Sequence, residues 1–355
     1  MKKLVTAVVL SLTALVSPAQ AQKTLNLFNW NDYIADETVA RFEQQCDCKV
    51  VQDYFSSTEE MMAKLLAGGG DYDVVIPTQN AVEALIKQGF LMPLDKSKLG
   101  NVKNMGPGFM NRSYDPGNQY SLPYAFTTTL IGYNENKLQE LGIDPSDWRV
   151  IFDPTILAKI KGKVTVMDDS EELIAAALKY LGYSVNDTNE QHLKEAQAVI
   201  LKAKPFWAAF NSSSYIKELT VGNIWVAHGY SSDMFQARSD AQEAGRPFTV
   251  GFVLPKQGAV LALDNMVIPK KARSPELAHQ FINFMMAPEN AAELTNIVGT
   301  GNPNAEAKRL IEPEILAINA IFPSEEQLKT LETISARNSK ERRFTSRLWT
   351  EIKVR

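Results

Sequence analysis

The segment Lys23–Phe55, KTLNLFNWNDYIADETVARFEQQCDCKVVQDYF, reads as strand, helix and strand in succession. Thr24–Phe28 has the apolar content of a strand. Asp36–Cys46 places Val39, Phe42 and Cys46 on one helical face, and Lys49–Tyr54 forms a second strand. Ser57-x-x-Glu60 then predicts a capping box ahead of a helix carrying Met61, Met62, Leu65 and Leu66, which stops at Gly68. Asp73–Pro77 reads as a short buried strand, and Ala81–Gln88 as a helix closed by Gly89. Such alternation implies an α/β fold with a parallel-rich sheet and helices on its faces.

The pattern resumes further along. Strands are expected at Lys163–Met167, Asn223–Ala227, Phe248–Leu254 and Ala259–Ile268. Helices are expected at Ser170–Leu181, Glu190–Leu201 and Ser232–Glu243, then from Pro275, from Glu289, and from Glu325 onward. No internal repeat, low-complexity tract or Gly/Ser/Pro-rich linker separates the halves. Two α/β lobes joined by crossing strands are therefore expected, with Tyr120–Asn134 and Ala259–Ile268 as the crossings. The division that follows is 22–133 with 263–300 for one lobe and 134–262 with 301–355 for the other.

The first residues bear on compartment. Lys2 and Lys3 precede an apolar run from Leu4 to Val16, and Ala19-Gln20-Ala21 supplies a small-x-small cleavage pattern, so 1–21 is expected to be a signal peptide. The run falls short of the roughly 20 residues that span a bilayer. No Cys stands at the cleavage point to carry a lipid. A periplasmic product beginning near Gln22 is the expectation. Removing Lys2 and Lys3 from 37 basic residues leaves 35 against 41 acidic, a formal charge of −6. That balance argues against nucleic acid, which needs clustered Lys and Arg.

Enzyme signatures are missing. There is no Gly-x-Ser-x-Gly elbow, His-Glu-x-x-His pair or Gly-x-x-x-x-Gly-Lys-Ser/Thr loop, and Gly68-Gly69-Gly70 reads as a helix stop and turn. His192, His228 and His279 lie far apart in sequence, so neither metal nor cofactor is expected. Cys46 and Cys48 are either two thiols or one local disulfide; a bond between them would be strained if both sat in a strand.

Acids and aromatics cluster where strands end, which is where open α/β sheets bind ligands. Asn29-Trp30-Asn31-Asp32-Tyr33 follows the first strand, and Asp168-Asp169-Ser170-Glu171-Glu172 follows another. Asp233 follows Tyr230-Ser231-Ser232 at a third junction. Each acid could instead cap the next helix. Asp264 is different, because it interrupts the apolar run Ala259–Leu263 within a strand. A carboxylate buried there needs a cation, donors or an opening to a cleft.

In order along the chain, several segments resemble the periplasmic polyamine-binding proteins of ABC transporters, most closely the putrescine-binding branch. They include Phe28–Ile34, Asp73–Pro77, Pro93–Leu99, Asp168–Glu172, Phe210–Ile216, Leu254–Ala259 and Arg347–Thr350. The resemblance implies a two-lobed periplasmic-binding-protein fold of the type II kind. It places an extended amine in the interlobe cleft, and a monomer that delivers it to a membrane permease. Position by position, it assigns Trp30, Asn31, Asp32, Tyr33 and Thr78 to the ligand wall of one lobe. Glu172, Asp233 and Asp264 become cation-binding acids, and Tyr230 an aromatic wall. Ala262 and Thr300 stand where aromatics are usual, and Asn80 where many members have a hydroxyl-bearing or aromatic residue. Rival readings are a binder of agmatine, spermidine or an amino acid, a ligand-sensing subunit, and an exported enzyme. An amino-acid binder should bring an Arg to the site, and none falls on the matched positions.

Overall fold

The computed structural model describes residues 23–68 and 71–354. The expected signal peptide, and Gly69 and Gly70 of the expected turn, lie outside the described residues.

Lys23–Trp30 forms strand β1, in which Leu25, Leu27 and Phe28 are buried, and Cys48–Phe55 forms β2 alongside it in parallel. Between them runs the helix Asp36–Cys46, pressing Thr38, Val39 and Phe42 inward. Asp47, in the left-handed region at φ 49°, turns the chain sharply from helix to strand. Cys46 ends the helix and Cys48 begins β2, and the two are joined as a disulfide. The geometric objection raised for two cysteines in one strand therefore does not arise. The helix Thr58–Leu66 carries half of the expected capping box. Ser57 accepts the Glu60 N–H, while the Glu60 carboxylate turns back to the N–H of Ser56 rather than of Ser57.

Val74–Val75 forms β3, parallel to β1, followed by the helix Gln79–Lys87. Ser121–Asn134 is one long strand, β4. In the other half lie β5 (Val164–Val166), β6 (Ala209–Phe210), β7 (Val226–Tyr230) and β8 (Val250–Val253), then β9 (Leu261–Val267). The strand order is β2-β1-β3-β9-β4-β7-β5-β6, with β8 also on β4. β1, β2 and β3 are parallel to one another, as are β5, β6 and β7, whereas β4 and β9 run antiparallel to their neighbours. The sheet is thus mixed.

β4 changes partners partway along. Ser121–Thr128 pairs with β9, and Thr129–Tyr133 pairs with β7. A register shift between Pro123 and Ala125 accommodates a residue that has no N–H to give. Apolar burial is divided on either side of this strand. One core packs Leu25, Leu27, Phe42, Ile76 and Phe281; another packs Trp148, Phe152, Val164, Leu173 and Ile200. Each such side chain contributes about 1.5–3 kcal/mol on leaving water.

Several strands are shorter than expected, and two elements differ more. β7 starts at Val226 rather than Asn223 and runs on to Tyr230, because its register against β4 extends from Val226–Tyr133 to Tyr230–Thr129. The chain after Glu325 is not one helix. Glu325–Leu328 is a single turn, and the next segment lies extended along β9 through Leu261 N–H to Glu332 O (2.9 Å) and Glu332 N–H to Ala259 O (3.1 Å). Helix resumes only at Ser339–Val354.

Candidate functional site

The carboxyl ends of β1, β2 and β7 open onto one cavity of about 420 Å³. That size suits a small molecule, for which pockets of roughly 300–1,000 Å³ are usual. Past β1, Asp32 sits at φ 51°, turning the chain so that Trp30, Asn31, Asp32 and Tyr33 all line the cavity. The following helix has Ala35 at its N-cap with no side-chain bond, so Asp32 does not cap it. Thr78, Tyr230, Asp233 and Asp264 complete the eight expected residues found on the lining.

Glu172, the ninth, lies just beyond. It borders a recess of about 20 Å³, roughly the room of one water molecule, together with Asp169, Glu171 and Asn80. Thr78, Tyr230 and Ala262 line both spaces and form the partition between them. Thr300 lines neither of these two spaces; it is fully buried, with an unpartnered hydroxyl. Asn80 donates to Glu171 Oε2 at 2.6 Å, tying the helix after β3 to the helix after β5.

Capping and recognition are divided among neighbouring acids. Asp169 caps the helix Ser170–Tyr180 by accepting the N–H groups of Glu171 (2.9 Å) and Glu172 (3.0 Å). Asp168 pairs with Lys353 at 2.6 Å. Glu172 is thereby free of capping duty, and it accepts a hydrogen bond from Thr129 at 2.7 Å.

Burial sets the electrostatics. Asp264 is 3 % exposed, and the loss of water pushes its carboxyl up to about 7. The Tyr33 hydroxyl, donating at 2.8 Å, and the field of the Trp30 indole N–H oppose that rise. Neither the Trp30 Nε1 nor Asp264 Oδ1 closes a hydrogen bond, so one carboxylate oxygen remains unpartnered beside the cavity. Burial also raises Glu172 to about 7, with the negative charges of Glu171, Asp264 and Glu59 adding to it and Thr129 opposing. Asp233 is raised to about 6 by burial and by Asp32, against hydrogen bonds from Tyr215 and Ser232. No Lys, Arg or His is among the described residues lining the cavity. The aromatic part of the wall is Trp30, Tyr33, Tyr54, Phe55 and Tyr230. Such a site can hold cations at its acids and an alkyl stem against its rings.

Sequence reasoning missed several lining residues. Tyr54 and Phe55 end β2 and Ser56 follows it, and the rule that pointed to the end of β1 applies equally there. Ser212 and Ser213 lie in a segment that the resemblance covers but to which no role was given. Thr127, on β4, gave no signal, since a Thr in an apolar strand is unremarked until its face is known.

Residues 37–321 match the model of the bacterial extracellular solute-binding protein family. The chain is 62% identical to a putrescine/cadaverine-binding protein of Pseudomonas aeruginosa, with both chains covered in full. It is 37% identical to the putrescine-binding periplasmic protein PotF of Escherichia coli, over 94% of this chain and 92% of that one. In three dimensions it resembles a putative spermidine/putrescine ABC transporter protein of Listeria monocytogenes, with a TM-score of 0.86 and 34% identity. That likeness covers 94% of this chain and 99% of the other. An acid-rich cleft at the strand ends of a mixed α/β fold and the match over residues 37–321 agree: the chain belongs to the bacterial extracellular solute-binding proteins.

Proposed function

We propose that this protein captures a linear diamine of the putrescine and cadaverine kind and delivers it to the membrane permease of an ABC transporter. The observation that carries the reading is the cavity's charge. Asp233 and Asp264 face it, Asp32 stands on its rim, and no basic side chain lines it among the described residues. An ammonium on a buried carboxylate makes a charge-assisted hydrogen bond, about 1.5–3 kcal/mol net. A ring face near the cation adds about 0.5–2 kcal/mol. Amino acids lack the basic partner their carboxylate would need. The names of the relatives support the same class of ligand.

Trp30, Asn31, Asp32, Tyr33, Thr78, Tyr230, Asp233 and Asp264 are the ligand contacts. Glu172 serves as the acid behind the partition. The change of partner at Thr128–Thr129 supports a hinge there and at the start of β9, so that the halves bearing β1 and β7 close on the amine. Membership of a carrier family supports binding rather than catalysis. Periplasmic location is supported by the Lys2–Ala21 pattern and by the relatives; no helix among the described residues is long and apolar enough to cross a membrane. Mass spectrometry of exported protein should show a chain starting near Gln22. Calorimetry against putrescine, cadaverine, spermidine, agmatine and arginine tests the ligand. Diamines should bind and arginine should not; heat from arginine alone would overturn the proposal.

A further inference from the structure

Tyr215 begins the helix Tyr215–Thr220 and is 1 % exposed, behind the cavity rather than on its lining. Its hydroxyl donates to Asp233 Oδ2 and accepts the backbone N–H of Tyr230 at 3.4 Å. One phenol thus braces two wall residues, Tyr230 at the end of β7 and Asp233 in the first turn of the helix after it. The other Asp233 oxygen accepts from Ser232 Oγ at 3.2 Å. Space for the ring comes from Gly229. A Cβ there would stand 2.4 Å from Tyr215 Cε2 and 2.7 Å from its hydroxyl oxygen, so any side chain at 229 displaces the phenol.

The surroundings make this bond consequential. Asp32, on the loop after β1, acts on Asp233 with like charge, and Asp233 acts in turn on the Tyr33 phenol. Glu172, from the helix after β5, bears on Tyr215 itself. No basic side chain lines the cavity among the described residues to offset these charges. Asp233 therefore depends on hydrogen-bond donors to remain an anion in a place that disfavours one.

We propose that Tyr215 is a positioning residue for cation capture, holding Asp233 as an oriented, ionised acceptor and fixing the place of Tyr230. The proposal rests on the diamine reading above. Burial pushes Asp233 up to about 6 while the Tyr215 and Ser232 hydroxyls pull it down. Loss of the phenol proton leaves more of the carboxyl protonated near neutrality, and that proton must depart before an ammonium can bind.

The test is putrescine calorimetry on the full protein, Tyr215→Phe, Asp233→Asn and the double variant, from about pH 6 to about pH 8. Using buffers of different ionisation enthalpy counts the protons released. Tyr215→Phe should weaken putrescine about tenfold near pH 6, the scale of one charged hydrogen bond. The loss should shrink toward pH 8 and proton release should rise. In the Asp233→Asn background the same change should cost nothing further. Equal losses at every pH and in both backgrounds would mean that the ring only packs, and would overturn the proposal. A monofluorinated tyrosine at 215 keeps the shape and strengthens the donor, which guards against a Phe variant that does not fold. Its binding midpoint should move to lower pH, and an unmoved midpoint overturns the proposal. Absence of putrescine binding by the unaltered protein overturns the diamine reading and this one with it. Binding that survives Tyr215→Phe unchanged overturns this one alone.

Discussion

Asp264 carries two opposed consequences of burial. Removed from water and only half satisfied by Tyr33, its carboxylate is costly to keep ionised without a cation. With one, the unpartnered oxygen is an acceptor already in place. Asp264→Asn should therefore weaken putrescine by about 1.5–3 kcal/mol in calorimetry. The same change should raise the melting temperature of the amine-free protein at pH 8, because it removes a strained charge. A variant that loses affinity and stability together would show instead that Asp264 holds the fold. The sequence announced this residue by its place in an apolar run. It could not announce Tyr215, since a buried phenol in a Ser-rich stretch looks like any core aromatic until its hydroxyl is traced to Asp233.

At the scale of the element, β9 shows why strand position matters more than residue type. Ala262 and Asp264, two apart, line the same cavity, and Thr127 of β4 is registered against Ala262. Ala262 also belongs to the partition before Glu172. Ala262→Phe should thicken that partition, tightening putrescine through a new ring face while weakening spermidine about tenfold. Calorimetry on both amines checks it, and equal changes for the two would remove position 262 from selectivity. Thr300 lines neither space, so enlarging it adds no ring to either. Elements built on local pattern were legible, as at Asp36–Cys46, whose apolar spacing and bounds are those of the helix. Elements set by distant partners were not. The extended run around Glu332 looked helical because its pairing with Ala259 and Leu261 lies some seventy residues away.

For the whole molecule, the raised carboxyls govern pH response. Asp233, Asp264 and Glu172 hold protons at about 6 to about 7, above the ordinary carboxylate range. Their contribution to stability is full below about pH 4 and is lost as pH rises through 6 to 7. His228 acts the other way. Buried with both nitrogens unpartnered and lowered to about 3, it contributes fully above about pH 6.5 and loses that contribution as pH falls. The raised acids, which include Asp169 and Glu171 beside the same recess, outweigh one imidazole, so the amine-free protein should melt several degrees lower at pH 8 than at pH 5.5. Putrescine should close much of that gap. Scanning calorimetry at the two pH values, with and without amine, decides it; a higher melting temperature at pH 8 without amine would contradict the assignment. Division of labour around the cavity has a further effect. The charges come from Asp32, Asp233 and Asp264, whereas Ser56, Ser212, Ser213 and Ala262 supply small neutral surface on the same lining. A lineage can therefore drift among amines of different length by single changes on the neutral wall, without ever surrendering its grip on a positive charge.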